Sequence, residues 1–194
     1  MGRLDPISIG ASLPDAALAG RDRAAELHGK TGLEDEVVAL FEQFRDRLLR
    51  YLLALRLDAH EAEEIVQEVF LALFQHLRGG KPRHNLRAWM FRVAHNLGLK
   101  RRQAMQQTVA MEHTRVTRAA DAGLSPEEQL LASERRERLQ AVVRALPEQD
   151  RWCLHLRAEG LRYREIAEAL DMSLGAVSLS LGRSLARLAR VDGR

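Results

Sequence analysis

Residues 61–77 constrain the fold of this 194-residue chain more than any other stretch. Their apolar side chains recur every three or four residues, which places them on one stripe of an α-helix. The opposite side carries acidic and amide side chains without a positive charge between them. The pattern predicts a helix that packs one side into a helical core and offers carboxylates to a partner or to solvent. The apolar members are Ala62, Ile65, Val66, Val69, Phe70, Leu73, Phe74 and Leu77, and the polar members are Glu63, Glu64, Gln67 and Glu68.

The sign of the charge changes directly after this stretch. Residues 34–75 hold four basic and ten acidic side chains, whereas residues 76–118 hold ten basic and one acidic. The net charge of the whole chain is only +3, so the total conceals this division. A basic segment of this density is a typical footprint of a nucleic-acid-binding protein.

Several classes of function do not fit the residues. The single cysteine, Cys153, allows no internal disulfide and suits a reducing cytoplasm, where we expect the chain to reside. We expect no association with a membrane, because no apolar run approaches the roughly 20 residues of a spanning helix and the N-terminus resembles no signal peptide. His60 and Glu64 lack the second histidine of a zinc-protease helix, and Cys153 and His155 diverge on a helix. We therefore expect neither an enzyme nor a bound metal or cofactor.

Three helices are predicted in the first half of the chain. Residues 1–33 have no sustained periodicity and are read as a mobile arm with a short helix near residues 16–28. A first helix covers residues 34–57, and Asp58 is a suitable N-cap for the acidic helix. Asn85 caps the third helix, residues 86–103, after a loop of glycine and proline. Its core stripe is predicted as Leu86, Trp89, Met90, Val93 and Leu97, and its outer face as Arg87, Arg92, His95, Asn96 and Lys100, followed by Arg101 and Arg102.

The second half predicts a separate helical unit after a linker at residues 105–124. Ser125 and Glu128 form a capping box with proline at the first helical position, and that helix reaches residue 145. Pro147 opens a further helix that Gly160 closes. A short helix at 163–170, a turn at 171–173 and a longer helix at 174–188 have the helix-turn-helix pattern, with Ser173 as cap. Its predicted inner face comprises Ile166, Ala167, Leu170, Val177, Leu181, Leu185 and Leu188.

Three segments in this order resemble one protein family. AEEIVQEVF at 62–70, RAWMFRVAHN at 87–96 and LPEQDRWCLHLRAEGLRYREIAEAL with SLGAV within 146–177 are similar to the extracytoplasmic-function (ECF) sigma factors of the sigma-seventy superfamily. The resemblance implies an all-α protein of two small helical domains joined by a flexible linker. Region 2, residues 34–104, would bind core RNA polymerase and melt the −10 promoter element, and region 4, residues 125–190, would bind the −35 element. An anti-sigma factor is a further candidate partner.

The resemblance also assigns roles to residues of the first domain. Glu64, Gln67 and Glu68 would dock on the coiled coil of the polymerase clamp, although the family commonly has aspartate where this chain has Glu64. Asn96 stands where the family places a residue facing a flipped −10 base. By spacing, Trp89 and Arg92 share that face, where an aromatic ring supports unstacked bases and a cation holds the backbone. Plain core packing is the competing interpretation of Trp89, and Lys100 and Arg101 extend the basic surface.

The last helix departs from the family pattern. Its outward face is predicted to hold Ser173, Ala176, Leu179, Ser180, Arg183 and Arg187. Only the two arginines can pair with phosphate, and Ala176, Leu179 and Ser180 cannot fork onto guanine. Arg162 also replaces the serine expected to cap the preceding helix. The sequence therefore predicts that −35 recognition relies on contacts that position the DNA more than they specify it.

Two other functions remain open from the sequence. A helix-turn-helix regulator that binds duplex DNA without polymerase would not need an acidic helix beside a basic one. A sigma-like adaptor that binds polymerase, and whose second domain contacts protein in place of DNA, is supported only by the exposed position predicted for Leu179.

Overall fold

The structure, a computed structural model, describes residues 16–108 and 126–192. The described residues contain seven α-helices and no strand, which confirms the all-α prediction. The first domain comprises α1 (Ala16–Ala54), α2 (Ala59–Arg78) and α3 (Leu86–Thr108). The second comprises α4 (Pro126–Arg144), α5 (Glu148–Ala158), α6 (Tyr163–Leu170) and α7 (Leu174–Asp192).

The helix α2 forms as its apolar stripe predicts. Seven of the eight stripe residues are buried, and the eighth, Phe74, is half-buried. The Asp58 side chain accepts a hydrogen bond from the Glu61 backbone N–H at 2.8 Å, which satisfies one of the free amides of the first turn. The stripe packs on α1, whose Phe44, Leu48 and Leu52 are buried against it.

Two of the predicted boundaries in the first domain differ from the structure. Residues 16–33 were expected to belong to the mobile arm, with only a short helix, but they form the first part of α1. Residues 105–108, expected to begin the linker, continue α3. The rest of the arm, residues 1–15, and the rest of the linker, residues 109–124, lie outside the described residues, as does Ser125 of the predicted capping box.

A close approach of α1 and α3 depends on Gly98. A Cβ atom at this position would lie 3.0 Å from a methyl group of Leu55 and 3.2 Å from one of Leu52. Both leucines are fully buried, so they have little room to retreat. Glycine therefore permits the contact that closes the core of the first domain.

The helix-turn-helix forms as predicted, with one correction. Asp171 adopts the left-handed conformation with φ of 53°, and the Ser173 side chain accepts a hydrogen bond from the Ala176 backbone N–H at 3.1 Å. Val177, Leu181 and Ile166 are fully buried between α5, α6 and α7. The prediction for Leu185 is wrong: 51% of its surface is exposed, because the buried stripe of α7 runs through Ser180 and Ser184.

The two domains pack against each other along α3. The helix α6 lies on α3, and α5 touches α1. The buried apolar residues of both domains form one continuous cluster. This packing places α3 between α1 and α2 of its own domain on one side and the second domain on the other.

Candidate functional site

The polar face of α2 is exposed, as its sequence predicts. Gln67 and Glu68 are exposed and Glu64 is half-exposed. The Arg101 guanidinium on α3 donates to the Glu64 carboxylate at 2.8 Å and lies 3.7 Å from that of Glu68. This hydrogen bond holds the pKa of Glu64 below its usual range. The structure thus brings two of the predicted polymerase-binding residues, Glu64 and Glu68, and the predicted DNA-binding residue Arg101 into a single ion-pair cluster.

The exposed stripe of α3 begins at Trp89. Arg92, Asn96 and Lys100 are exposed along it, at spacings of four residues. Trp89 is half-buried, and its ring lies 4.7 Å from the ring of His76 on α2. The indole is therefore partly packed on α2 and partly exposed at the start of this stripe.

Two residues expected on the outer face of α3 lie elsewhere. His95 is buried, and its Nδ1 is 2.8 Å from the Tyr51 hydroxyl. Arg87 is half-buried and makes a forked pair with Glu165 of α6, with distances of 2.6 and 2.7 Å from Nη2 to the two carboxylate oxygens. Both face the second domain, because α3 is packed on two sides and its buried surface is wider than one stripe. Burial lowers the pKa of His95 to about 4.

The start of α3 also differs from the prediction. Asn85 has φ of 62°, unlike the extended backbone of an N-cap. Its side-chain amide donates to the Glu168 carboxylate of α6. The asparagine therefore joins the two domains and does not close the end of its own helix.

The predicted DNA-binding face of α7 is only partly exposed. Ser180 is 1% exposed and Ala176 is half-buried, so the prediction that both face outward is wrong for Ser180 and incomplete for Ala176. Arg183 donates to the buried carboxylate of Asp150 at 2.9 and 3.3 Å. Burial alone would raise the pKa of Asp150, but the hydrogen bonds from Arg183 lower it. Arg187, Leu179 and Ser173 are exposed as predicted.

A different set of residues lines the exposed face of α7. They are small or apolar, and the sequence analysis did not select most of them. Gly175 and Gly182 have no atom within 4 Å of an added Cβ, so internal packing does not require glycine there. The sequence feature that could have identified this face is the spacing of seven residues between the two glycines, which places both on one side of a helix. The set comprises Leu174, Gly175, Ser178, Leu179, Gly182 and Leu185.

Among the described residues, no group of three or more histidine, cysteine, aspartate or glutamate side chains is arranged to hold a metal ion. Within the same residues, no helix is long and apolar enough to cross a membrane.

Comparisons with known proteins identify the family. Residues 40–106 match Sigma-70 region 2, and residues 136–188 match Sigma-70 region 4. ECF RNA polymerase sigma factor ShbA of Streptomyces griseus is 33% identical over 131 residues, which cover 66% of this chain and 67% of that protein. ECF sigma factor SigE of Mycolicibacterium smegmatis is 30% identical over 77% of this chain, which spans 58% of SigE. SigW of Bacillus subtilis is 22% identical, with 79% of this chain and 87% of that protein covered.

Solved structures agree on the fold. The sigma factor RpoE of Bartonella quintana, solved with the anti-sigma factor NepR, has a TM-score of 0.57 at 18% identity and covers 81% of this chain and 94% of its own. CnrH, solved with the cytosolic domain of CnrY, has a TM-score of 0.54 at 20% identity and covers 88% and 96%. At these identities the likeness concerns the two-domain helical fold. The matched regions and relatives together show that this chain belongs to the ECF sigma factors of the sigma-70 family, the transcription factors of promoter-specific initiation.

Proposed function

We propose that this chain binds core RNA polymerase through the exposed face of α2 and carries it to promoters, where α3 opens the −10 element and α7 holds the −35 element. The observation that carries the proposal is the arrangement of the first domain. An exposed carboxylate and amide face lies beside an exposed aromatic, basic and amide stripe, and Arg101 links the two. A binder of duplex DNA alone has no use for the acidic half of this surface.

The polymerase contact is proposed for Glu64, Gln67 and Glu68, on the coiled coil of the clamp. Support comes from their exposure and from the absence of any apolar side chain between them on the α2 face. Complementary charge steers such an encounter and fixes its register. Arg101 already pairs with Glu64 at 2.8 Å. A basic polymerase surface therefore has to displace Arg101 from Glu64 or bind Glu64 together with Arg101.

Strand opening is proposed for Trp89, Arg92, Asn96, Lys100 and Arg101. Asn96 is exposed and can form two hydrogen bonds with a base edge. The Trp89 ring is half-buried and lies 4.7 Å from the ring of His76. Stacking of an unpaired base on an aromatic ring is worth about 1–3 kcal/mol, which offsets part of the cost of unpairing it.

Upstream DNA binding is proposed for Arg187, Ser173 and the exposed part of α7, with Ser178 in the place of the buried Ser180. Support comes from exposure and from the position of Ser173 and Ala176 at the start of the recognition helix. Arg183 can contact the DNA only with the part of its guanidinium that the pair with Asp150 leaves free. We therefore propose that this domain positions the polymerase more than it reads the sequence.

The remaining assignments concern the limits of the domains and their other partners. We propose region 2 at residues 34–104 and region 4 at 125–190, joined by a linker that begins after the end of α3 at Thr108, with no catalytic activity in either region. An anti-sigma factor is proposed as a further partner, because RpoE of Bartonella quintana, which has the same fold, was solved with one.

Run-off transcription tests the function. Purified core polymerase is incubated with the chain on genomic fragments from the same organism, and the transcripts are sized. The sigma assignment predicts discrete products that need both proteins. A DNA-binding regulator would bind fragments and yield no product with core enzyme alone, and an adaptor would bind core enzyme without creating new start sites.

A further inference from the structure

The last turn of α2 carries a histidine that contacts two other parts of the first domain. The Nε2 atom of His76 lies 3.0 Å from the Pro82 carbonyl oxygen, in the loop between α2 and α3. Its imidazole ring lies 4.7 Å from the Trp89 ring of α3, with the two planes inclined by 43°. A carbonyl oxygen can only accept a hydrogen bond, so Nε2 carries a proton and donates it. One side chain therefore joins the end of α2, the loop and the start of the exposed stripe of α3.

The start of α3 relies on contacts from other elements, because the residue before it does not cap it. Asn85 has φ of 62° and donates its side-chain amide to the Glu168 carboxylate of α6. A helix end without a capping side chain is weaker in its first turn. Trp89 lies in this turn, and its backbone N–H donates to the Asn85 carbonyl at 3.1 Å. The position of the indole therefore depends on groups outside α3.

The loop that leads into α3 is held by polar contacts. Residues 79–84 are exposed, so burial does not fix their course. The Lys81 backbone N–H donates to the His76 carbonyl oxygen at 3.2 Å, and Arg83 makes an ion pair with Glu36 of α1 at 2.6 Å. His76 thus binds the loop with its backbone as well as with its side chain.

The Trp89 ring needs a restraint if it is to keep one orientation. It is half-buried, so packing encloses only part of it. A side chain that is only partly enclosed can move between rotamers unless a neighbour prevents it. His76 is such a neighbour, and the hydrogen bond to the Pro82 carbonyl orients its own ring.

We propose that His76 is a positioning residue for strand opening: its ring, oriented by the Pro82 carbonyl, holds Trp89 in the position that receives an unpaired base. This role rests on the proposed function of α3 in opening the −10 element. A base that stacks on a ring already held in place does not have to immobilise that ring, so less conformational entropy is lost on binding. His76 acts through Trp89 and does not itself contact the base.

Three substitutions of His76 in the full chain separate the ring contact from the hydrogen bond. His76→Phe keeps a ring beside Trp89 and removes the donor to Pro82. His76→Gln keeps an N–H donor and removes the ring. His76→Ala removes both. The control is Gln75→Ala, a substitution at the exposed neighbouring residue of α2.

Strand opening is measured as the growth of permanganate reactivity on a fragment that the wild type opens with core polymerase, over a range of chain concentrations. His76→Ala should lower the maximal rate of opening by about tenfold, part of what a stacked base contributes. The half-saturating concentration should not change, because His76 lies about 12 Å along α2 from Glu68 and outside the proposed polymerase contact. His76→Phe should recover most of the rate, His76→Gln should stay near His76→Ala, and the control should match the wild type.

Three results of this experiment would overturn the proposal. The first is a wild-type rate in His76→Ala, or an equal loss in the control. The second is recovery by His76→Gln and not by His76→Phe, which would assign the effect to the loop. The third is a higher half-saturating concentration with an unchanged maximal rate, which is the result of a smaller folded fraction.

A spectroscopic measurement tests the positioning without transcription. The chain has two tryptophans, so NMR gives separate indole N–H signals for Trp89 and Trp152, and Trp89→Phe identifies the first by its loss. The order parameter of the Trp89 indole should fall in His76→Ala and His76→Gln and stay near wild type in His76→Phe, while that of Trp152 should not change. An unchanged Trp89 value in His76→Ala would overturn the positioning role. The expected NMR changes in a chain that opens no fragment would instead remove strand opening by α3 and leave His76 a structural role only.

Discussion

The guanidinium of Arg101 donates to the carboxylate of Glu64 at 2.8 Å, across the boundary between α3 and α2. One of these residues was expected to bind DNA and the other polymerase. The pair shows that the two surfaces are adjacent. A partner that binds Glu64 therefore changes the positions that the Arg101 side chain can adopt. Binding of polymerase and of the −10 element should therefore be coupled.

Charge reversal on α2 should abolish polymerase binding. In the proposed docking, Glu64→Lys with Glu68→Lys places two cations beside Arg101 and opposite a basic clamp surface, where like charges repel. The variant should fail to co-purify with core polymerase and should keep its helix content. Glu34→Lys with Glu42→Lys, the same change of charge at exposed sites of α1, should be retained normally. Normal retention of the Glu64 and Glu68 variant would remove the docking assignment.

Substitutions in the exposed stripe of α3 should separate stability from strand opening. Trp89→Ala should cost about 2–3 kcal/mol of unfolding free energy, less than full burial would give, because the indole is half-buried. Asn96→Ala should leave stability unchanged, because its side chain is exposed. Both should reduce permanganate-reactive thymines at a promoter that the wild type opens. Normal reactivity in the Asn96 variant would exclude it as a base reader.

Two arginines of α7 should behave differently. Arg187 is exposed, so Arg187→Ala should flatten the slope of log affinity against log salt by about 0.9 without loss of stability. Arg183→Ala should instead lower the urea midpoint, because it leaves the buried Asp150 carboxylate unpaired. Arg183→Ala with Asp150→Asn should recover part of that loss. Equal urea midpoints for Arg183→Ala and Arg187→Ala would contradict a structural role for Arg183.

The stability of the chain should fall in mild acid through His95. Its pKa is about 4 in the folded chain and about 6.5 when unfolded, so the unfolded state binds more protons in this window and stability declines as the pH drops through it. Between pH 7.5 and pH 5 the loss is about 2 kcal/mol. Burial also lowers the pKa of His155, which adds to the slope. Urea titrations at both pH values should show a smaller difference for His95→Gln than for wild type; an equal difference would be inconsistent with a neutral, buried His95.

The sequence was sufficient where a helix has one buried stripe. The stripe of α2, its Asp58 cap and the Ser173 cap follow directly from residue type and spacing. It was insufficient for α3, because a helix packed on its own domain on one side and on the second domain on the other buries more than one stripe, and periodicity does not reveal the second domain. His95 and Arg87 were misplaced for that reason.

The errors in α7 have a different cause. Serine is ordinarily exposed, but Ser184 is buried with its hydroxyl donating to the backbone oxygen of Ser180 at 2.9 Å, and Ser180 is buried although its own hydroxyl has no partner at hydrogen-bond distance among the described residues. The buried stripe of α7 therefore contains Ser180 and Ser184, and Leu185 lies at the surface. The exposed face of α7 therefore carries other residues than the predicted DNA-binding face. The pairing of Arg183 with Asp150 is also invisible in the sequence, because 33 residues separate them.

The most direct test of the account is to map transcript 5′ ends on whole genomic DNA with purified core polymerase, with and without this chain. A sigma factor should create a set of new start sites that share one sequence element about 10 base pairs upstream and a less stringent one about 35 base pairs upstream, consistent with a second domain that positions more than it specifies. The Glu64→Lys with Glu68→Lys variant should create none. If the chain adds no start site, or if the same sites appear with that variant, polymerase-dependent promoter selection through α2 is contradicted.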